Sequence, residues 1–331
     1  MKILVTGSSG HLGEALIVTL KRKGIPCVGT DLLAGPMTTH VGSITDRTFV
    51  DTLMQGVDYV IHTATLHKPH VVTHSKQNFI DVNILGTLHL LEAAVAGGVK
   101  GFVFTSTTST YGDALRPAPH EPAVWVNEPL RPRPKNIYGT SKIAAEDLCQ
   151  LFHRNHQLPC IVLKTSRFFW EHDDRKELRE AYEDLNIKAN EYLNRRVDVQ
   201  DVVDAHLLAV EKVVAMGFEK FIISATTPFM QSQLRDLNTD APAMVQSIYP
   251  DFETIYARQG WQMFPVIGRV YVNQKARTQL GWQPQYDFAY VLTCLREGKS
   301  FKSPLAREVG IKGYHDEQFE EGPYPVTGQD G

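Results

Sequence analysis

The sequence has little cysteine, and what it has is scattered. Its four cysteines, Cys27, Cys149, Cys160 and Cys294, include no C-x-x-C pair and have no histidines at metal-ligand spacing. That distribution indicates neither a zinc site nor a disulfide framework. We therefore expect reduced, buried thiols and no bound metal.

Charge excess and long apolar runs are also lacking. The net charge is −3, so neither nucleic acid nor an anionic membrane surface is an expected partner. No uninterrupted apolar run approaches the ~20 residues of a membrane span. The first strand pattern starts at residue 2 and leaves no room for a signal peptide. We expect a cytoplasmic protein with small-molecule partners.

Short apolar segments alternate with amphipathic ones along much of the 331-residue chain. Strand patterns lie at 2–6, 27–31, 57–64, 101–107, 160–166 and 220–224, and helical patterns at 14–24, 46–55, 76–96, 138–155 and 201–213. Strands alternating with helices imply right-handed crossovers and a parallel sheet covered on both faces. The fold class predicted is α/β, with a doubly wound parallel sheet (Rossmann) and a smaller C-terminal substrate lobe.

The strand–helix rhythm changes after about residue 167. We predict a dinucleotide-binding domain at 1–166, with segments returning to it at about 195–226. Residues 167–194 and 227–309 are assigned to the substrate lobe. The tail at 310–331 is polar and rich in glycine and proline, which is compatible with disorder or with an arm packed on another surface.

A glycine-rich stretch, GSSGHLG, lies directly between the first strand and the first helix. In that context Gly7 makes the turn, Gly10 lets a pyrophosphate approach the backbone, and Gly13 packs the helix on the sheet. The second strand ends at Asp31, which no arginine follows closely. A carboxylate there can accept hydrogen bonds from both ribose hydroxyls and repels a 2′-phosphate. The pattern predicts NAD(H) rather than NADP(H), although a structural turn and a strand-end cap remain alternatives.

The stretch NIYGTSKIAAED begins a helical pattern and places Tyr138 and Lys142 four residues apart. On a helix the two side chains share one face. The spacing alone is more typical of an amphipathic helix that buries its aromatic residue and exposes its lysine.

Five segments in order carry a resemblance to a known family. They are TGSSGHLG at 6–13, VIHTAT at 60–65, NILGTLHLLEAA at 83–94, FTSTTSTYGD at 104–113 and YGTSK at 138–142. Together they resemble the extended short-chain dehydrogenase/reductase family, the NAD-dependent sugar epimerases and dehydratases. The resemblance covers residues 1 to about 166, with weaker similarity at 195–206 and 275–284.

The resemblance implies a catalytic site of three residues, Thr107, Tyr138 and Lys142. Tyr138 would act as general base although a free phenol has a pKa of ~10, because the Lys142 ammonium and the positive nicotinamide ring favour its anion. The Thr107 hydroxyl would hold the substrate oxygen. The implied cofactor-binding residues are Gly7, Ser9, Gly10, His11, Leu12, Gly13, Asp31, Thr63, Ala64, Asn83 and Lys142. For Asn83, a bond to local backbone is the alternative.

Departures from the family pattern concern the substrate. Thr108 and Ser109 stand where the family's dehydratases carry an Asp-Glu pair, which argues against a 4,6-dehydratase. Arg167 replaces an asparagine of the epimerases; it would either clamp a carboxylate or phosphate, or pair with nearby acidic residues. The further candidate substrate residues are His67, Thr108, Arg196 and Arg269.

The function predicted is NAD-dependent oxidation of a secondary hydroxyl on a sugar, sugar acid or nucleotide sugar. Release of the ketone would make the enzyme a dehydrogenase, and re-reduction on the other face would make it an epimerase. A non-catalytic dinucleotide sensor or scaffold is the alternative. Helices 76–96 and 138–155 carry apolar faces of the kind that pair across a two-fold axis in the resembling family, so we expect a homodimer.

Overall fold

The structure is a computed structural model that describes residues 1–118, 120–313, 317 and 319. Most of the predicted tail at 310–331 therefore lies outside the described residues. Where the chain is described, an α/β fold around a parallel sheet is confirmed.

The described strands form two parallel sheets. In chain order they are β1 (Ile3–Thr6), β2 (Cys27–Asp31), β3 (His40–Val41), β4 (Tyr59–His62), β5 (Gly101–Thr107), β6 (Val124–Val126), β7 (Cys160–Thr165), β8 (Phe218–Ile223) and β9 (Arg269–Tyr271). Seven of them make one sheet in the order β3-β2-β1-β4-β5-β7-β8, and β6 pairs with β9. The strand order reverses between β1 and β4, which opens a crevice at the carboxyl ends of the strands.

Helices connect and cover the strands. The α-helices are α1 (His11–Arg22), α2 (Arg47–Leu53), α3 (Lys76–Phe79), α4 (Gly86–Ala96), α5 (Ile137–His156), α6 (Lys176–Ala181), α7 (Asp184–Glu191), α8 (Val199–Met216), α9 (Leu234–Leu237), α10 (Ala241–Ile248), α11 (Phe252–Ala257), α12 (Phe288–Arg296) and α13 (Pro304–Val309). Two π-helical segments, Ile80–Leu85 and Ala276–Leu280, and the 3₁₀ turns Lys68–Val72, Thr108–Tyr111, Asp113–Leu115 and Gln231–Gln233 complete the set.

Alternate strand residues supply two separate cores. Val5 and Val103 point to the face that α1 and α8 cover. Leu4 and Phe102 point to the opposite face, which α2, α4 and α5 cover. Since side chains alternate along a strand, a short apolar run with buried residues on both sides is what a two-sided parallel sheet requires.

Three strands were not predicted from the sequence: β3, β6 and β9. Each has only two or three residues, too few to show a period. β6 and β9 pair over three residues although they lie far apart in the chain. Such a pairing depends on long-range packing and leaves no local pattern.

The predicted helix at 76–96 is observed as a continuous segment, Lys76–Ala96, whose middle is π-helical. By length and composition it is the one helix among the described residues that could cross a membrane, with a mean hydropathy of 1.4 over the relevant window. The sequence shows no comparable uninterrupted apolar run because Asp81, Asn83 and His89 lie within it. The helix packs against α2 and α5, as a core helix does.

Candidate active site

A cavity of roughly 1340 Å³ opens at the carboxyl ends of the strands of the main sheet. Residues that follow or end five strands line it, among them Gly7, Asp31, Thr63, Thr107 and Ser166. Its volume exceeds the ~300–1,000 Å³ of an ordinary small-molecule pocket. The cavity therefore has room for a dinucleotide and a second molecule.

The glycine-rich loop is built around close backbone contacts. Gly7 has φ +75°, and a Cβ there would lie 2.8 Å from Ala64 N. A Cβ on Gly13 would lie 1.9 Å from the Gly7 carbonyl oxygen, which also accepts the N–H of Gly10 at 3.0 Å. Only glycine fits at these positions. The loop presents bare backbone and the start of α1 to the cavity, the surroundings that a pyrophosphate needs.

Asp31 is oriented by backbone donors at the end of β2. Its Oδ2 accepts the N–H of Ser9 at 3.0 Å and its Oδ1 accepts the N–H of Leu33 at 3.0 Å. Each carboxylate oxygen keeps a second acceptor position. The carboxylate can thus receive two ribose hydroxyls at the cavity edge that it lines.

Four other predicted cofactor residues line the same cavity: Ser9, Leu12, Thr63 and Ala64. The N–H groups of Thr63 and Ala64 donate to the Thr6 hydroxyl at 3.2 and 3.1 Å. The contacts fix the end of β4 against the end of β1. Thr63 and Ala64 therefore shape the floor of the cavity.

His11 is the first residue of α1 and also lines the cavity. Its ring is 5% exposed, lies edge-on to Phe168 and Phe169, and neither ring nitrogen has a hydrogen-bond partner among the described residues. Burial, followed by the charges of Lys312 and Arg196, lowers the pKa of His11 to about 4. The imidazole is neutral at physiological pH.

Asn83 does not line the cavity, contrary to its assignment as a cofactor residue. Its Oδ1 accepts from the Thr65 hydroxyl and the Leu66 N–H at 2.9 and 2.8 Å. Its Nδ2 donates to Leu66 O at 3.1 Å and Ser141 Oγ at 3.0 Å. These four bonds use the whole capacity of the amide. Asn83 ties the loop after β4 to α5. This structural role is closer to the alternative of a bond to local backbone than to a contact with the cofactor.

The three predicted catalytic residues meet at one wall of the cavity. Thr107 ends β5, and Tyr138 and Lys142 lie in the first two turns of α5, whose N-cap Asn136 accepts the N–H of Gly139 at 3.1 Å. The Thr107 Oγ1 accepts the N–H of Ser109 at 3.0 Å. All three side chains are buried, and the pairing of strand end with helix start holds them in register.

Burial shifts the pKa values of the tyrosine and the lysine in opposite directions. It raises the pKa of Tyr138 to about 12, an effect that a hydrogen bond with the Thr107 side chain opposes. It lowers the pKa of Lys142 to about 7, opposed by the negative charge of Glu146. The Lys142 ammonium donates to Thr105 O at 2.7 Å and lies 4.1 Å from the centre of the Phe104 ring.

A buried ion network behind Lys142 was missed from the sequence. Glu146, one helical turn further along α5, accepts from Ser106 Oγ at 2.5 Å and from Lys164 Nζ at 2.6 Å. Lys220 reaches the other carboxylate oxygen at 3.2 Å. The two lysines hold the pKa of Glu146 below its usual value in spite of burial. The i,i+4 spacing of Lys142 and Glu146 was the available signal.

His67 and Thr108 line the cavity next to Tyr138 and Thr107, respectively. The His67 ring lies 6.2 Å from that of Tyr138 and 5.7 Å from that of Phe169. Burial is the main cause that lowers the pKa of His67 to about 3. His67 is thus a neutral cavity residue and not a solvated loop histidine.

The three predicted substrate arginines have different positions. Arg167 lines the cavity, but its Nη1 pairs with Asp173 Oδ2 at 2.7 Å, so the ion-pair alternative describes it better than the clamp. Arg196 is corrected: it is 1% exposed, donates to Phe169 O at 2.8 and 2.7 Å, and is not a cavity-lining residue. Packing against Trp170 turns it inward. Arg269, on β9, does line the cavity.

Further cations at the cavity were not predicted. Arg116 and Lys135 line it from loops that the sequence does not place together, and Lys312 lines it from the segment after α13. Burial and then the charge of Arg116 lower the pKa of Lys135. Loop residues that converge only in the folded chain leave no spacing in the sequence.

The sequence of this chain is similar to those of known proteins over most of its length. Residues 3–223 match the model of the NAD dependent epimerase/dehydratase family. A UDP-glucose 4-epimerase of Rhizobium leguminosarum bv. trifolii is 27% identical, over 88% of this chain and 94% of the relative. A dTDP-glucose 4,6-dehydratase of Streptomyces antibioticus is 28% identical, over 93% and 96%.

Solved structures share the fold. A short-chain dehydrogenase/reductase superfamily protein from Agrobacterium tumefaciens with bound NAD has a TM-score of 0.63 at 21% identity, covering 93% of this chain and 99% of its own. The UDP-glucose 4-epimerase of Thermotoga maritima with UDP-glucose has a TM-score of 0.61 at 23% identity, covering 90% and 99%. The similarity extends over most of the chain.

Proposed function

Because the chain belongs to the NAD dependent epimerase/dehydratase family, we propose that it catalyses the NAD-dependent oxidation of a secondary hydroxyl of an anionic sugar derivative at Thr107, Tyr138 and Lys142. The observation that supports this proposal is the convergence of the three side chains on the cavity that the glycine-rich loop also lines. NAD is the cofactor of the family, and the matching relatives include sugar-nucleotide enzymes.

The residues of the chain fit NAD. The bare backbone at Gly7 and Gly10 suits the pyrophosphate, Asp31 suits the adenosine ribose, and Lys142 has donors for the nicotinamide ribose. When bound, NAD supplies a hydride acceptor and a positively charged ring. The chain's own residues must then bind the substrate and move its hydroxyl proton.

Tyr138 is the proton acceptor in this proposal. Without cofactor its pKa is about 12, so the phenol is protonated and needs a neighbouring positive charge to act as a base. Lys142 lies on the same helix face and has a pKa of about 7. It can take up the proton that the phenol of Tyr138 loses, so that the phenolate forms beside an ammonium. The substrate hydroxyl gives its proton to Tyr138 while the Thr107 hydroxyl holds the oxygen.

We further propose re-reduction on the opposite face, which makes the protein an epimerase; loss of the ketone would make it a dehydrogenase. The relatives include both epimerases and a dehydratase. Elimination of water needs an additional acid and base, and Thr108 and Ser109, the side chains next to Thr107, carry no carboxylate. The comparisons give no support to a non-catalytic sensor.

An anionic substrate is supported by the charge of the cavity. Among the described residues, nine lysine and arginine side chains line it against three acidic ones. Arg116, Lys135 and Arg269 are among them, and Arg269 Nε is buried without a hydrogen-bond partner in the described chain. A carboxylate or phosphate would satisfy that donor.

A substrate panel tests the proposal. Purified protein with NAD should be offered neutral sugars, uronic acids, sugar phosphates and nucleotide sugars, with NADH absorbance reporting dehydrogenation and NMR of the product reporting inversion. We expect inversion of an anionic member without net NADH. Turnover confined to neutral sugars would refute the anionic class.

Tyr138→Phe tests the base. It should leave NAD affinity unchanged and reduce kcat by ~10²–10⁴-fold, the usual contribution of general-base catalysis. Tyr182→Phe is the matched control, since Tyr182 lines the same cavity and its ring packs edge-on against Phe264. Full turnover by Tyr138→Phe would overturn the mechanism.

A further inference from the structure

After α13 the chain runs back along α1 towards its glycine-rich end. We call residues 308–313 the C-terminal strap. Glu308 pairs with Arg22 Nη2 at 2.6 Å, near the end of α1. Lys312 Nζ donates to Glu14 Oε2 at 2.7 Å, in the first turn of α1. The strap thus spans the length of the helix that begins at the cavity.

The spacing of these two contacts shows how the strap lies. Arg22 and Glu14 are eight residues apart on α1, which is ~12 Å along a helix. Glu308 and Lys312 are four residues apart; Glu308 and Val309 end α13, and residues 310–313 follow outside any helix or strand. The strap therefore runs antiparallel to α1 and brings Lys312 to the first turn of that helix.

A lysine in that place is electrostatically unusual. The N-terminus of a helix carries partial positive charge and favours anions, so Glu14 suits it and Lys312 does not. Lys312 and Gly313 also line the cavity, together with Gly7, Gly10 and the buried His11, whose ring nitrogens have no hydrogen-bond partner among the described residues. Glu14 neutralises the charge of Lys312 and leaves the partial positive charge of the helix N-terminus without a counter-charge. An anion bound between the glycine-rich loop and the strap would neutralise that remaining positive charge.

We propose that the C-terminal strap is part of the dinucleotide site, with Lys312 contacting the NAD pyrophosphate and the strap slowing NAD release. The inference concerns the cofactor and does not depend on the substrate or on the reaction at Tyr138. It has a consequence for epimerisation, because a keto intermediate can be re-reduced only while the reduced cofactor stays bound. A strap across the pyrophosphate meets that requirement.

Lys312→Gln tests the contact, and Lys299→Gln is the matched control. Lys299 is an exposed lysine paired with Glu297 and is not a cavity-lining residue. By calorimetry, Lys312→Gln should raise the Kd of NAD and of ADP-ribose about three- to tenfold, the range expected of one partly exposed charged contact. Stopped-flow displacement should show faster NAD release. Affinities and release rates equal to those of Lys299→Gln would overturn the proposal.

Hydrogen exchange gives an independent measurement on the unaltered protein. NAD and ADP-ribose should both slow amide exchange at residues 311–313, whereas adenosine, which lacks the pyrophosphate, should not. Unchanged exchange with NAD would overturn the proposal, as would equal protection by adenosine.

Discussion

Replacing Lys142 by methionine should stabilise the fold while abolishing turnover. Lys142 is 2% exposed, and burial lowers its pKa from 10.5 to about 7. That shift corresponds to about 5 kcal/mol of unfavourable folding free energy below pH 7. Methionine keeps the packing of the stem but leaves Thr105 O without its donor, a loss of about 1–3 kcal/mol. We expect a net gain of about 2–4 kcal/mol at pH 6.

The gain should depend on pH in a defined direction. Between pH 7 and pH 10.5 the unfolded chain holds a proton on Lys142 that the folded protein has lost, given the folded pKa of about 7. The stability of the unaltered protein therefore rises with pH in this window. The advantage of Lys142→Met should shrink by about 3 kcal/mol from pH 6 to pH 9.5, whatever the hydrogen-bond term is.

Urea unfolding of the NAD-free proteins, followed by tryptophan fluorescence at pH 6, 7.5 and 9.5, measures both quantities. Groups common to the two proteins cancel in the difference. Lys299→Met, at an exposed position, should show no pH-dependent difference. Two results would refute the reasoning that Lys142 is a buried cation that destabilises the fold. One is a lower stability of Lys142→Met than of the unaltered protein at pH 6, and the other is a difference in the free energy of unfolding that stays constant from pH 6 to pH 9.5.

Three further predictions concern the cofactor, the substrate and assembly. Asp31→Ala should weaken NAD about tenfold and narrow the preference over NADP, since charged hydrogen bonds to the ribose are lost; equal affinity of the unaltered protein for both cofactors, measured by calorimetry, would refute this. Arg269→Gln should raise KM for an anionic substrate about tenfold with kcat little changed, and Arg258→Gln, outside the cavity, should not. The protein should be a homodimer by light scattering, through the apolar side chains Ile80, Leu85 and Leu151 that are exposed on the Lys76–Ala96 segment and α5; a monomer at micromolar concentration would contradict it.

The local apolar and helical patterns of the sequence predicted the central strands of the main sheet well. Segments such as 27–31 and 101–107 coincide with β2 and β5, because buried parallel strands are short, rich in apolar and β-branched residues, and lie between helices with clear periodicity. The glycine-rich loop could be predicted equally well, since Gly7 and Gly13 meet steric requirements that no other residue satisfies.

Side chains outside these patterns were predicted less well. Arg196 was expected at the substrate and is buried against Trp170, and Arg167 meets Asp173 across a turn of the chain. Both outcomes depend on how the segment after β7 folds over the cavity. Arg116 and Lys135 converge on the cavity from separate loops. Such contacts are decided by packing among distant segments, about which local spacing carries no information.

The saturated amide of Asn83 limits what sequence variation can reveal about this enzyme. Aspartate would lose the donors to Leu66 O and Ser141 Oγ, and serine is too short to bridge four partners. Ser141 in turn donates to Tyr138 O, so an exchange at Asn83 would disturb α5 beside Tyr138 although Asn83 does not line the cavity. Selection should therefore keep asparagine at this position as strictly as it keeps a catalytic residue. A search that takes every invariant residue for a substrate contact would wrongly assign Asn83 to the substrate site.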